Sequence, residues 1–294
     1  MVVSAGVPII TFLLLTGVGL HLAPADFAAV RRQPGIVAVG VLAPLAALPL
    51  IALALTRALG TPPGLATGLL LVAVSPVGGI SNTYTHLARA STALSVALTG
   101  LSCLLAGVAI PLVSRVLEAL LHRPLGFDAP PGVLLLQLMV MLGLPVALGM
   151  VVRQRWRAFA DARQPLFQRA AFAALGLLIA FVIASDPGTF VRGLAGVVPL
   201  SAGFGALSFA AGWLAAAATR SDRRVRFTLG AVFGTRNIAV ATAIAVTLLR
   251  RPEFAVFAVT YFLTQVPLMV AAIALFRAAG GGKAVTSAPA GAPR

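Results

Sequence analysis

Two tetrapeptides hold the side chains best placed for chemistry, Gly79-Ile80-Ser81-Asn82 and Gly234-Thr235-Arg236-Asn237. Each lies inside an apolar segment, about 62–90 and about 225–249, and both read Gly-x-polar-Asn. Glycine loosens the backbone at such a point, while hydroxyl and amide groups offer acceptors and donors beside it. Arg236 adds a full charge about eleven residues, or ~16 Å of helix rise, from either end of its segment. A guanidinium at the centre of a bilayer costs ~2.5–3.5 kcal/mol on insertion scales, so it must be paired or wetted. None of the acidic residues (Asp26, Glu118, Asp128, Asp161, Asp186, Asp222, Glu253) falls mid-segment. The expected partners are therefore an anionic ligand or neutral oxygens: those of Ser81, Asn82, Ser95 and Thr99, and carbonyls freed at the breaks. Half-helix N-termini at Ser81 and Asn237 would add partial positive charge, which suits an anion. The competing reading is an arginine that knits two broken helices without touching a ligand. His86 lies one turn beyond Asn82, and imidazole is the side chain suited to proton coupling near neutral pH. A neutral histidine donating to a nearby carbonyl is the alternative.

The elements that must position these groups are membrane helices. A chain that is 60% hydrophobic, 10% charged and has a mean hydropathy of +1.02 is not a soluble domain. Nine apolar segments approach or exceed the ~20 residues that cross a bilayer core. They lie at about 4–22, 35–57, 62–90, 91–113, 131–152, 167–185, 192–217, 225–249 and 253–277. The first has no basic residue before it and no small-residue cleavage site after it, so it reads as a retained span. The formal charge of +15 belongs to topology rather than to nucleic acid. Fifteen of the Lys and Arg fall in one set of alternate loops, against six (Arg57, Arg115, Arg123, Arg192, Arg250, Arg251) in the other. This places the N-terminus outside and the C-terminus in the cytoplasm of a multi-pass protein, with a bacterial inner membrane as the expected location. A single cysteine, Cys103, excludes a disulfide framework and reads as a buried filler.

The fold class expected is an all-α polytopic membrane protein, one transmembrane domain over 1–278 with a disordered cytoplasmic tail over 279–294. The third segment is too long to be one straight helix, and Pro76, Gly78 and Gly79 predict a break near 76–81. Gly230 and Gly234 mark the eighth, although Gly-x-x-x-Gly also describes a helix-packing face. Repeat one (about 4–113) and repeat two (about 167–277) overlay across a linking span at about 131–152, each with its break in the third member. An offset of five spans makes the copies inverted. Interrupted helices in matching places of inverted repeats point to a secondary transporter with a site near mid-membrane.

From Gly40-Val41-Leu42-Ala43-Pro44, Ser75-Pro76-Val77-Gly78-Gly79-Ile80-Ser81-Asn82-Thr83-Tyr84-Thr85-His86-Leu87-Ala88-Arg89, Ala93-Leu94-Ser95-Val96-Ala97-Leu98-Thr99 and Gly234-Thr235-Arg236-Asn237, the chain resembles the bile acid:sodium symporter family over roughly 5–277. The resemblance implies a panel domain, a core domain in which the broken helices cross, and an organic anion as substrate, usually moved with sodium. It implies a first sodium site on Ser81, Asn82, Ser95 and Thr99, together with a glutamate whose place is taken by Val232. The second site needs that glutamate and two glutamines, whose places are taken by Arg236 and Pro44, so no second site is expected. The site residues are thus Gly79, Ser81, Asn82, His86, Gly234, Thr235, Arg236 and Asn237, with no cofactor beyond a sodium ion at the residual first site.

Three classes compete. The first is a carrier of a small or amphipathic organic anion in which Arg236 substitutes for bound sodium, with sodium-coupled symport as its alternative. The second is an intramembrane enzyme, which lacks a mid-membrane carboxylate pair, metal-ligand spacing or a nucleophile elbow. The third is a non-transporting sensor. Tyr84 and Thr85 read as packing residues, and Gln265 near Pro267 as a helix-packing amide.

Overall fold

The computed structural model describes residues 2–20, 33–121, 131–185, 187–251 and 253–281. Helices occupy all nine predicted segments: α1 (Val2–Leu20), α2 (Pro34–Ala58), α3 (Pro63–Val74) with α4 (Ile80–Leu87), and α5 (Thr92–Leu121). Then come α6 (Pro131–Leu138, a π turn at Met139–Gly143, and Leu144–Arg155), α7 (Arg157–Ser185) and α8 (Pro187–Ala218). Last are α9 (Arg223–Phe233), α10 (Ile238–Ala243, ending in a π turn at Ile244–Leu248) and α11 (Glu253–Ala278). Among the described residues, five stretches are long and apolar enough to cross a membrane: Pro34–Ala58, Thr92–Leu120, Leu135–Arg155, Leu194–Ala218 and Phe254–Ala278. The expected disorder of the tail falls, from residue 282 on, outside the described residues.

Both expected breaks are present. Pro76 offers no N–H, and α3 stops at Ser75, whose backbone is extended (φ −64°, ψ 152°). The chain resumes helix at Ile80. In the second case α9 ends at Gly234, and Asn237 caps α10 by accepting the Val240 N–H on its side-chain oxygen at 3.2 Å. Each broken helix closes on an arginine with positive φ, Arg89 (54°) and Arg250 (53°).

Helices of the second half surround the breaks. α8 packs on α9, α11 and α2, while α11 lies along α3. Small residues set the spacing: a Cβ on Gly212 would lie 2.3 Å from the Leu229 carbonyl oxygen, and one on Gly230 would touch the Phe209 ring at 3.0 Å. The small-residue stretch of α9 is therefore a packing face as well as the approach to a break. Phe227 anchors an aromatic cluster at the near end, 4.6 Å from Phe276 and 5.6 Å from Phe209 between centroids. Tyr84 and Ala88 of α4 pack into this cluster.

α1, α6 and α7 form the remaining group, with α1 lying against both others. Here the helices nearly touch. A Cβ on Gly149 would stand 2.3 Å from the Thr16 carbonyl oxygen, and one on Gly19 would stand 2.2 Å from that of Val146. Backbone cannot yield as a side-chain tip can, so Gly149→Val is expected to lower stability by about 1–3 kcal/mol. A melting curve of purified protein in detergent checks this, with Gly176→Val as control, since among the described residues nothing lies within 4 Å of a Cβ there.

Candidate functional site

The two breaks meet. Val77 and Arg236 form an isolated antiparallel bridge. The Gly78 N–H donates to the Thr235 carbonyl (3.0 Å) and the Asn237 N–H to the Pro76 carbonyl (2.8 Å). Each break thus supplies the partners that the other lost on leaving the helix. The approach is too close for a side chain, because a Cβ on Gly78 would lie 2.8 Å from the Arg236 carbonyl oxygen. Side chains from neighbouring helices complete the junction. The Val77 N–H donates to Ser102 Oγ (3.0 Å), and the Tyr261 hydroxyl donates to the Gly234 carbonyl (2.7 Å).

Four of the expected site residues gather on one side of this junction. Ser81 Oγ lies 3.2 Å from Ser95 Oγ and 3.3 Å from Thr99 Oγ1. Asn82 Oδ1 accepts from Ser95 (2.8 Å) and from Thr99 (3.4 Å). Ser81, Ser95 and Thr99 are all buried. The helix break brings Ser81 and Asn82 of α4 against the one face of α5 that carries Ser95 and Thr99, four residues apart.

Arg236 is placed apart from them in its bonding. The residue is 4% exposed, and Nη2 donates to the Ser75 carbonyl, one of the acceptors freed where α3 ends. Among the described residues, Nε and Nη1 have no partner. The hydroxyls of Ser81, Ser95 and Thr99 and the Asn82 amide oxygen, expected to share the guanidinium, bond to one another instead. The freed carbonyl wins because the two breaks are paired backbone to backbone, which puts Ser75 next to Arg236. Arg236 also lines a cavity of about 20 Å³ with Val41 and Pro44 of α2, Ser102 and Ala106 of α5. Val232, at the position of the missing glutamate, is fully buried.

The other expected residues are dispersed around the junction. Thr235 is buried with its hydroxyl unpartnered, and Asn237 spends its side-chain oxygen on the helix cap. Gly79 faces Val18 of α1 (3.5 Å from a built Cβ), while Gly234 faces Met269 of α11 (2.9 Å). His86 is exposed on the last turn of α4. Cys103 is fully buried, with Sγ 3.9 Å from the Val77 carbonyl. Three contributors have weak sequence signals. Ser75 precedes a proline, which favours the extended backbone that turns its carbonyl off the helix, Tyr261 is a lone phenol in an apolar helix and needs an acceptor, and Ser102 carries no signal beyond its hydroxyl.

The family model of the Sodium Bile acid symporter family matches residues 8–192. The chain is 34% identical over 155 residues to the uncharacterized sodium-dependent transporter YocS of Bacillus subtilis (strain 168), covering 53% of this chain and 47% of that one. It is 30% identical over 172 residues to the probable chloroplastic sodium/metabolite cotransporter BASS1 of Arabidopsis thaliana, covering 58% and 42%. A probable chloroplastic sodium/metabolite cotransporter of Oryza sativa subsp. japonica, BASS2, is 38% identical over 104 residues, covering 35% and 25%. The chain thus spans less than half the length of each of these relatives.

The junction yields a stability test. Gly78→Ala is expected to force Arg236 and its carbonyl aside and to cost about 1–3 kcal/mol. Tyr261→Phe, which leaves the Gly234 carbonyl without its donor, is expected to cost about 1–3 kcal/mol. Both appear as lowered melting temperatures of the purified variants.

Proposed function

The chain belongs to the sodium bile acid symporter family, and from that premise we propose that it is a secondary transporter of a small or amphipathic organic anion in which Arg236 stands in for bound sodium. It is an integral multi-pass membrane protein. The observation that carries the proposal is the buried Arg236 guanidinium, held at the crossing of the two breaks with Nε and Nη1 unpartnered. In the resemblance, one glutamate with two sodium ions gives the crossing a net single positive charge. One arginine with no sodium gives the same. Val232 and Pro44 leave no carboxylate or amide where the second ion would be held, and a guanidinium in that place repels a cation. The positive field that draws an anion is thereby kept without a coupling ion.

The packing supports a movement that would expose the site to either side in turn. On the inverted-repeat reading, α1, α6 and α7 would make the panel and the helices around the crossing the core. α1 covers the front of the junction through Val18 near Gly79, and through Thr11, whose hydroxyl lies 3.5 Å from the Ala239 carbonyl. Sliding the crossing past α1 uncovers it from one side and then the other. His86, exposed one turn from Asn82, is the group through which protons would couple; without that role the cycle is exchange or uniport.

A second reading has its own support. The oxygens of Ser81, Asn82, Ser95 and Thr99 lie 2.8–3.4 Å apart, near the edge length of an oxygen shell at ~2.4 Å, in the range of hard-cation sites. They would hold one sodium ion as co-substrate. Uptake of small carboxylates and steroid sulfates into proteoliposomes separates the two. On the first reading, replacing sodium by choline leaves uptake within about twofold, and Arg236→Gln lowers it by at least about tenfold, the effect of ~1.4 kcal/mol. A strong dependence on sodium, lost in Ser95→Ala, would instead establish the second. A His86→Gln variant that keeps the wild-type pH profile would remove the proton route.

A further inference from the structure

Arg236 has more donors than the protein uses. Of its five N–H groups, three sit on Nε and Nη1, and among the described residues those two atoms have no partner. A buried guanidinium left this way is costly, and among the described residues no ion pair involves it. Arg236 also lines a cavity of about 20 Å³ between α2, the first break and α5, with room for a single compact ion. Its walls decide the sign. Val41, Leu45, Leu105 and Ala106 are apolar. Of its two hydroxyls, that of Ser102 accepts from Val77 and donates to the Thr99 carbonyl (3.0 Å), and that of Ser75 donates to the Leu71 carbonyl (2.7 Å). No carboxylate lines it.

We propose that this cavity binds one compact monovalent anion, a halide or a carboxylate group, against the Arg236 guanidinium that lines it. The inference rests on the reading of Arg236 as the fixed positive charge of the transport site, and it names where that charge meets its anion. An apolar wall cannot replace a tightly held hydration shell, so weakly hydrated anions bind best. The order is nitrate and bromide ahead of chloride, with fluoride last. The competing occupant is water alone, bridging the guanidinium to the Gly40 carbonyl, which Pro44 leaves without its helical donor.

The test is a thermal melt of the purified full-length protein in sodium-free choline gluconate, titrated with chloride, bromide, nitrate, fluoride, acetate or propionate. A saturable rise on the order of 2–4 °C is expected in the stated order. It is expected to vanish in Arg236→Gln, and also in Ala106→Leu, which fills the cavity and keeps the arginine. Halides acting alone assign a resident inorganic anion, whereas a response to carboxylates that grows from acetate to propionate assigns the head of the substrate. No response to any anion, as bridging water predicts, overturns the site, as does an undiminished response in a folded Ala106→Leu protein. Binding without any organic-anion uptake in proteoliposomes would leave the site standing and remove the transport reading.

Discussion

Everything else in this molecule is arranged around two backbone hydrogen bonds between helix breaks: Gly78 N–H to the Thr235 carbonyl, and Asn237 N–H to the Pro76 carbonyl. A helix that stops inside a membrane abandons donors and acceptors that have no water to turn to, at several kcal/mol for each group. Two breaks placed face to face cancel much of that penalty reciprocally. Neither could exist alone. The pairing explains why glycine stands at 78, where a Cβ would collide with the opposite strand, and why Ser102 and Tyr261 are turned inward to close the remaining gaps.

Charge is distributed with the same economy. Among the described residues, carboxylates pair or cap away from the crossing: Glu118 with Arg115, Asp161 with Arg153, and Asp222 at the start of α9. Arg236 is consequently the dominant electrostatic feature of the interior, and its single tie to the Ser75 carbonyl does not neutralise it. The hydroxyl cluster of Ser81, Ser95 and Thr99 with Asn82 is neutral and internally bonded. One side of the junction thus offers oxygens and the other offers positive charge. A crossing of broken helices can carry both because each break presents its two faces to different neighbours.

Packing tightness differs in kind across the fold. Around the crossing, glycines let α8 and α9 approach closely, and an aromatic cluster of Phe209, Trp213, Phe227 and Phe276 locks the near end. In the other group, Gly19 and Gly149 bring α1 and α6 into backbone contact. Each group is bound within itself by contacts that tolerate no added atoms, while α1 meets the crossing through Val18 and a long Thr11 bond.

Much of this was legible in the chain itself. Long apolar runs announced the helices, because a bilayer core demands them, and Pro76 with Gly78 and Gly79 announced the first break, because proline has no N–H and glycine does not resist the turn. The repeated Gly-x-polar-Asn pattern linked the second break to the first. Ser81, Asn82, Ser95 and Thr99 could be grouped from their positions along α4 and α5 once the resemblance was in view. What the residues could not show was how Arg236 divides its donors, since a guanidinium takes whichever acceptors the backbone leaves within reach. Only the tertiary structure put the Ser75 carbonyl there, turned the hydroxyls to each other, placed a cavity beside Pro44 and left His86 at an exposed helix end. Hydropathy and helix-breaking chemistry act locally and can be read in order along the chain, whereas partners for a buried charge are set by which distant backbones come together.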